Sequence, residues 1–423
     1  MHRVRQSLPF FRDEGWEAVT LAVDADYVEM QRDEALLATL PEDAEVYRVP
    51  ALDYHWTRRF GLGNLAIRSL YTLWREGSRL LAARDFDLVY FSTTAYPVVV
   101  LGRLWKRQFG VPYVVDLQDP WRSDHYLSLP HEERPPKFWF SYRFDKLTEP
   151  IAMNAADGLV AVTQAYIDTM RERYPAVREA ASTVIPFGVS RLDFEAAHVT
   201  GSDEALPPRV GSELRGVYTG VCNSAMEPVL RALFEVLAQG REEHPGVFGR
   251  VRLHFVGTNY AVGERAHPVV LPLAEAAGVA DVVTERVDRV PYLDALKMQL
   301  TSDFLLLVGT IDSDYTASKL YPYIFSQRPI LAAFRSSSSV VDILRETHAG
   351  DAVPFEEHPD EPAFRSALLQ RWTALLRSLP FTPETDWEAF DPYTARAMAR
   401  RQTDFFNDVL ARANRGRSAV PVL

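Results

Sequence analysis

Two successive series of short apolar strands, alternating with helical stretches, predict an α/β chain built from two doubly wound, Rossmann-like domains. Three observations carry that expectation. Unbroken apolar runs such as VPYVVD (111–116), LVAV (159–162) and FLLLV (304–308) have the character of parallel strands buried on both faces. A stretch with Gly, Ser, Asp and Pro-Pro but no periodicity, 194–211, separates the two series and reads as a linker. The 423 residues exceed one ordinary domain. The expected division is 1–193, a linker at 194–212, a second domain at 213–390 and a terminal helical segment at 391–423.

Composition narrows the class. A hydrophobic content of 47% with 24% charged residues describes a globular chain with ample core. A net charge of −11 argues against a general nucleic-acid binder, though a local phosphate site remains compatible with it. The single cysteine, Cys222, excludes an internal disulfide and fits a reducing, cytoplasmic setting. Its neighbourhood, VYTGVCNSAM, has no nearby cation to activate a thiolate, so a packing role is preferred to a catalytic one. No run of ~18 apolar residues predicts a spanning helix, and MHRVRQSLPFF lacks a signal-peptide core.

Taken in order, residues 2–16 read as the end of an amphipathic helix and 17–23 as the strand after it. A doubly wound domain ordinarily opens with a strand and a glycine-bearing turn before that helix, so the start reads as shortened. A weak strand at 45–49 precedes 55–86, where Trp56, Phe60, Trp74 and other apolar residues mix with Arg58, Arg59, Arg68, Arg75 and Arg79. This is either a core-packed helix with a solvated arginine face or one that lies on an anionic membrane, and the former is the better-supported reading. Strand 87–91 ends in a turn with Thr93 and Tyr96, and helix 97–109 is stopped by Gly110. Strand 111–116 leads to the loop LQDPWRSDHY, with Gln118 and Asp119 at a strand's carboxyl end. Helix 137–156, strand 159–162, helix 166–173 and strand 182–186 complete the first series. The second runs through strand 214–219, Gly220, helix 226–239, strand 251–256 with Gly257 and Thr258, helix 271–277, strand 282–287 and helix 292–300.

The organising stretch is 302–334, SDFLLLVGTIDSDYTASKLYPYIFSQRPILAAF. Its apolar strand feeds a loop carrying Asp312 and Asp314, then a helix start with Lys319 in the first turn. Thr316 or Ser318 is expected to cap that helix, and Pro322, near the fourth helical position, to kink it. A loop at the carboxyl end of a parallel strand, opening onto a helix N-terminus, suits a phosphate. An ordinary strand-to-helix connection with a solvated lysine is the plain alternative.

TASKLYPYIFSQRPILA resembles the donor-binding segment of retaining GT-B glycosyltransferases, family 4 in particular. VPYVVDLQDPW and ADGLVAVTQAY…STVIPFGVS are similar to that family's fourth-strand and domain-closing passages. The resemblance implies a GT-B architecture with an inter-domain cleft and a terminal helix crossing back to the first domain. It implies a hexosyl- or other glycosyltransferase, active in polysaccharide biosynthesis without a metal or other cofactor. The substrates would be a nucleotide-diphosphate sugar and a glycan or lipid-linked acceptor, the latter consistent with membrane contact through 55–86. Asp314, Lys319 and Asp119 would be the catalytic residues. Gly220, Asn223, Gly257, Thr258, Val287, Ser318 and Leu320 would hold the donor, and Gln118, Thr93 and Tyr96 would face the acceptor. The sequence departs from the family pattern at Pro322 (usually glutamate), Gln118 (usually histidine), Phe187 (usually asparagine) and in the cation-poor loop after Gly220.

Two other chemistries compete. Asp312-Ser313-Asp314 imitates the metal-binding D-x-D of single-domain transferases, since carboxylates at that spacing can hold Mn²⁺ or Mg²⁺ with phosphates. The four departures also fit a binding or scaffold protein on a decayed transferase fold. Scattered histidines and the absence of G-x-S-x-G and G-x-x-x-x-G-K-[ST] speak against zinc, hydrolase and NTPase chemistry, and no acid-histidine cluster supports a nucleotide-sugar epimerase.

Overall fold

Alternation along single strands shows how the sheets are buried. In Phe304–Val308, Phe304, Leu306 and Val308 pack into one core while Leu305 and Leu307 pack into another. Both faces of a parallel strand are thus covered, which is why it is apolar at every position. Tyr113–Leu117 divides in the same way, with Tyr113, Val115 and Leu117 on one face and Val114 on the other.

The structure is a computed structural model and describes residues 2–29, 33–60, 62–122, 124, 127, 131, 134, 138–259, 267–311 and 317–418. The chain divides into two compact units. The first holds strands β1 (Val19–Val23), β2 (Glu45–Val49), β3 (Val89–Ser92), β4 (Tyr113–Leu117), β5 (Gly158–Ala161) and β6 (Ala181–Val184). They form two parallel sheets, β1-β2 and β3-β4-β5-β6. The second holds β7 (Leu214–Thr219), β8 (Val251–Val256), β9 (Val283–Arg286), β10 (Phe304–Val308), β11 (Ile330–Arg335) and β12 (Asp351–Phe355). These make one parallel sheet in the order β12-β11-β10-β7-β8-β9. Counted within the unit this is the doubly wound order, with its topological switch between β7 and β10.

The units are not contiguous in sequence. Unit one comprises 1–32, 40–188 and 395–423, and unit two comprises 33–39 and 189–394. Helix Ala395–Ser418 therefore returns to the first unit. Its Gln402 accepts a hydrogen bond from Ser7 Oγ at 2.6 Å and donates one to Tyr90 at 3.0 Å. Gly158 lets the helix approach, since a Cβ there would lie 2.7 Å from Val409 and 3.0 Å from Phe405.

Several local expectations change. Residues 191–200, read in part as linker, form a helix whose Phe194 and Ala197 are buried against helix Tyr292–Thr301. One apolar pair three apart is too little periodicity to stand out in sequence. Stretch 55–86 is not one helix but the turn Tyr54–Thr57, a short 3-10 turn and helix Leu65–Ala83, which Asn64 caps. Arg68 is not on a solvated face: it is 2% exposed and donates to Glu29 and to the Leu52 and Tyr27 carbonyls. Ser318 does not cap the helix after β10. That helix begins at Leu320 with Lys319 at the cap position and no side-chain cap bond. Pro322 accordingly falls in the first turn, where its missing N–H costs no helical hydrogen bond and forces no kink.

Candidate functional site

In unit two the strand ends on either side of the switch point bring Gly220 and Lys319 together. Gly220 follows β7 with φ +126°, a conformation side chains rarely adopt, and a Cβ there would meet Lys319 Cε at 2.9 Å and Nζ at 3.0 Å. The lysine lies over the Tyr218 ring, 4.2 Å from its centroid, and donates to Tyr218 Oη and, at 3.5 Å, to the Val221 carbonyl. Burial without a carboxylate partner among the described residues pushes Lys319 down to about 8. Among the described residues this cation is short of counter-charge, which is the electrostatic condition for receiving an anion.

The neighbouring loops are tied to that centre. The Gly220 N–H donates to Val256 O at 2.8 Å and the Cys222 N–H to Thr258 O at 2.9 Å, continuing the β7-β8 ladder beyond the strands. Gly257 takes φ +75° at the end of β8. Thr258 is fully buried and donates to Glu285 at 2.5 Å, so its hydroxyl is already committed. Glu285 also accepts the N–H groups of Val269, Val270 and Leu271, fixing the start of helix Leu271–Ala276. Val287 is half-buried and its carbonyl accepts from Asn259 at 3.3 Å. Asn223 and Ser318 are exposed, whereas Leu320 is a core side chain whose N–H is taken by Ala317 O. Leu320 therefore offers a donor molecule neither its side chain nor its N–H. Asp314, like Asp312, lies outside the described residues. Beneath the strand end, Tyr323 Oη accepts the Thr219 N–H at 2.8 Å and Gln299 donates to Thr219 Oγ1 at 3.0 Å. Cys222 is buried and its thiol is pushed up to about 12 by burial, consistent with packing rather than thiolate chemistry.

In unit one the carboxyl ends of β3 and β4 carry a polar cluster. Asp116 accepts from Ser92 Oγ at 2.8 Å and from Gln118 Nε2 at 2.6 Å, and Gln118 also donates to Ser92 at 2.7 Å. Arg3 Nε lies 3.0 Å from the same carboxylate, with both side chains fully buried. Its Nη2 donates to Ile185 O at 2.8 Å, and its guanidinium stacks 4.9 Å above the Phe187 ring. Gln118 thus spends its amide inside the unit. Tyr96 clamps the Asp119 backbone by donating to its carbonyl at 2.5 Å and accepting its N–H at 3.0 Å. The Asp119 side chain is left exposed, with partial desolvation raising its carboxyl. Thr93 accepts the Ala95 N–H and shapes the turn. Tyr96 stacks on Trp121, whose indole donates at 3.2 Å to Asp145, a carboxyl raised by burial to about 6.

Arg3, Asp116, Tyr218 and Tyr323 are the residues that sequence reading missed. Arg3 and Asp116 are 113 positions apart, so no local pattern pairs them. Tyr218 had one usable signal, a polar aromatic two residues before the glycine that ends its strand.

Comparisons fall on the same ground. Residues 3–188 match the family described as glycosyl transferase 4-like domain. No curated protein sequence matches the chain. Among solved structures, a glycosyltransferase from Rickettsia africae is similar at 11% identity and TM-score 0.55, covering 96% of this chain and 94% of that one. An α,α-trehalose 6-phosphate synthase from Burkholderia multivorans gives 13%, 0.54, 95% and 99% in the same order. A sucrose-phosphate synthase from Thermosynechococcus elongatus gives 13%, 0.52, 97% and 93%. At such identities the likeness establishes the fold: α/β, GT-B, with two Rossmann-like units of parallel strands.

Proposed function

We propose that this protein is a glycosyltransferase that moves a sugar from a nucleotide-diphosphate donor to a glycan or lipid-linked acceptor, with retention and without a metal. The observation that carries the reading is Lys319, lodged over Gly220 at the switch point of the second sheet with no carboxylate partner among the described residues. The family match over 3–188 supports the reaction class independently.

A cation fixed at that point stabilises the negative charge that builds on the departing diphosphate, and it does so most strongly once water is excluded. Asn223, exposed on the loop after Gly220, would donate to the same group. Asp119, held by Tyr96, would take hydroxyls of donor or acceptor, and Asp314 those of the sugar. Membrane contact through 55–86 remains part of the proposal, with Trp56, Tyr71 and Trp74 exposed there. A cytoplasmic setting and a role in polysaccharide biosynthesis belong to it as well.

A decayed scaffold is favoured by two features. The loop after Gly220 has no cation until Arg231, which pairs with Glu227 on the helix surface, and Gln118 is turned inward. Slow hydrolysis of UDP-, GDP- or ADP-sugars separates the readings: turnover with one donor supports the transferase, and none with any supports the scaffold. Activity that collapses with EDTA and returns with Mn²⁺ would transfer the phosphate-stabilising role to the 312–314 carboxylates.

A further inference from the structure

Helix Phe138–Met153 in unit one presents an outer face that the transferase reading does not use. Trp139 is 63% exposed, Leu147 64%, Phe140 37% and Ile151 38%. Phe140, Leu147 and Ile151 recur at spacings of seven and four and so form one stripe along the helix. Arg143 and Lys146, both exposed, flank it on one side, and the Arg143 guanidinium lies 5.7 Å over the Trp139 ring. Neither cation pairs with a carboxylate among the described residues. The helix's own acids are turned away: Glu149 is buried with Tyr174 and Arg173, and Asp145 receives the Trp121 indole. The adjoining helix Val100–Phe109 exposes Arg103, Leu104 and Arg107, and its Lys106 donates to Ala155 O just past the stripe.

We infer that this face seats the protein on an anionic lipid surface, with the stripe and Trp139 entering the headgroup boundary and the four cations meeting lipid phosphates. Charge complementarity decides the occupant. In a chain of net charge −11, the exposed ionised groups of these two helices are all basic. A second copy would bring the same cations against themselves, whereas anionic lipid neutralises them. Helix Leu65–Ala83 is the weaker anchor, because Arg79 is paired with Glu76 and Arg68 is buried with Glu29, which leaves Arg75 as its exposed arginine without an ion pair among the described residues. The inference does not depend on catalysis.

Flotation of the full chain with phosphatidylcholine vesicles, with and without phosphatidylglycerol, tests it. Wild type should float only with the anionic vesicles. The double substitution Arg143→Glu/Lys146→Glu should lower that partitioning at least ~10-fold, and Leu147→Ser/Ile151→Ser should lower it comparably. Trp56→Ser/Trp74→Ser, in the other proposed contact, should lower it by less than either of these. All sites are exposed, and unchanged thermal melts confirm that the variants are folded. Wild-type flotation by both face variants, or loss only in the Trp56/Trp74 variant, overturns the inference. So does a vesicle-free dimer that Leu147→Ser/Ile151→Ser makes monomeric.

Discussion

The two units treat a cation near the ends of parallel strands in opposite ways, Arg3 being fully buried and Lys319 half-buried. In unit one Arg3 is closed off by Asp116, two carbonyls and an aromatic ring, so its charge faces an opposite charge. In unit two Lys319 has, among the described residues, a phenol, a ring face and a distant carbonyl. The first arrangement fixes structure, and the second has no carboxylate partner among the described residues. Sheet continuity differs in parallel: unit two has β7 and β10 paired side by side at its switch point, while unit one has its strands in separate groups of two and four.

The largest expected effect breaks the first arrangement. Asp116→Ala leaves a buried arginine unpaired and should destabilise unit one by about 3–5 kcal/mol in urea unfolding. A change under ~1 kcal/mol would mean that the pair is not structural. Lys319→Ala should do the reverse. Turnover should fall ~100-fold or more while stability holds or rises, since a half-buried cation with no carboxylate partner among the described residues is removed. Near-normal donor turnover in that variant would remove Lys319 from the chemistry. Gly220→Ala combines a forbidden φ with displacement of the lysine. It should cost about 1–3 kcal/mol in stability and reduce turnover ~10-fold, less than Lys319→Ala.

A pH profile sharpens the contrast. With Lys319 lowered to about 8 from an ordinary 10.5, the folded protein sheds that proton first. Turnover should therefore decline as pH rises through about 8. Between those two values the unfolded chain holds the extra proton, so this residue's contribution to stability rises with pH. Tyr218→Phe removes an acceptor from the ammonium and should move the alkaline limb a few tenths of a unit lower, the smallest of these effects. An alkaline limb unchanged in Lys319→Arg would assign it to another group.

Legibility followed locality. The Phe304–Val308 strand and the glycine after β7 could be read because each is a short pattern with a physical cause. Helix Arg191–Thr200 could not, because its apolar residues match a partner helix a hundred positions away rather than a period of their own. Leu320 was expected to face the donor, yet the helix start carries it into the core at 1% exposure.

By itself the sequence determined the class of fold, the two strand-helix series and the chemistry of individual residues, since hydrophobic period and turn residues act over a few positions. The tertiary structure alone decided which charges are compensated. Whether Arg3 meets Asp116, whether Lys319 lies over Tyr218 and whether Gln118 points inward depend on desolvation and on partners brought from distant segments. Those terms set the electrostatics of a site, and no local stretch of sequence contains them.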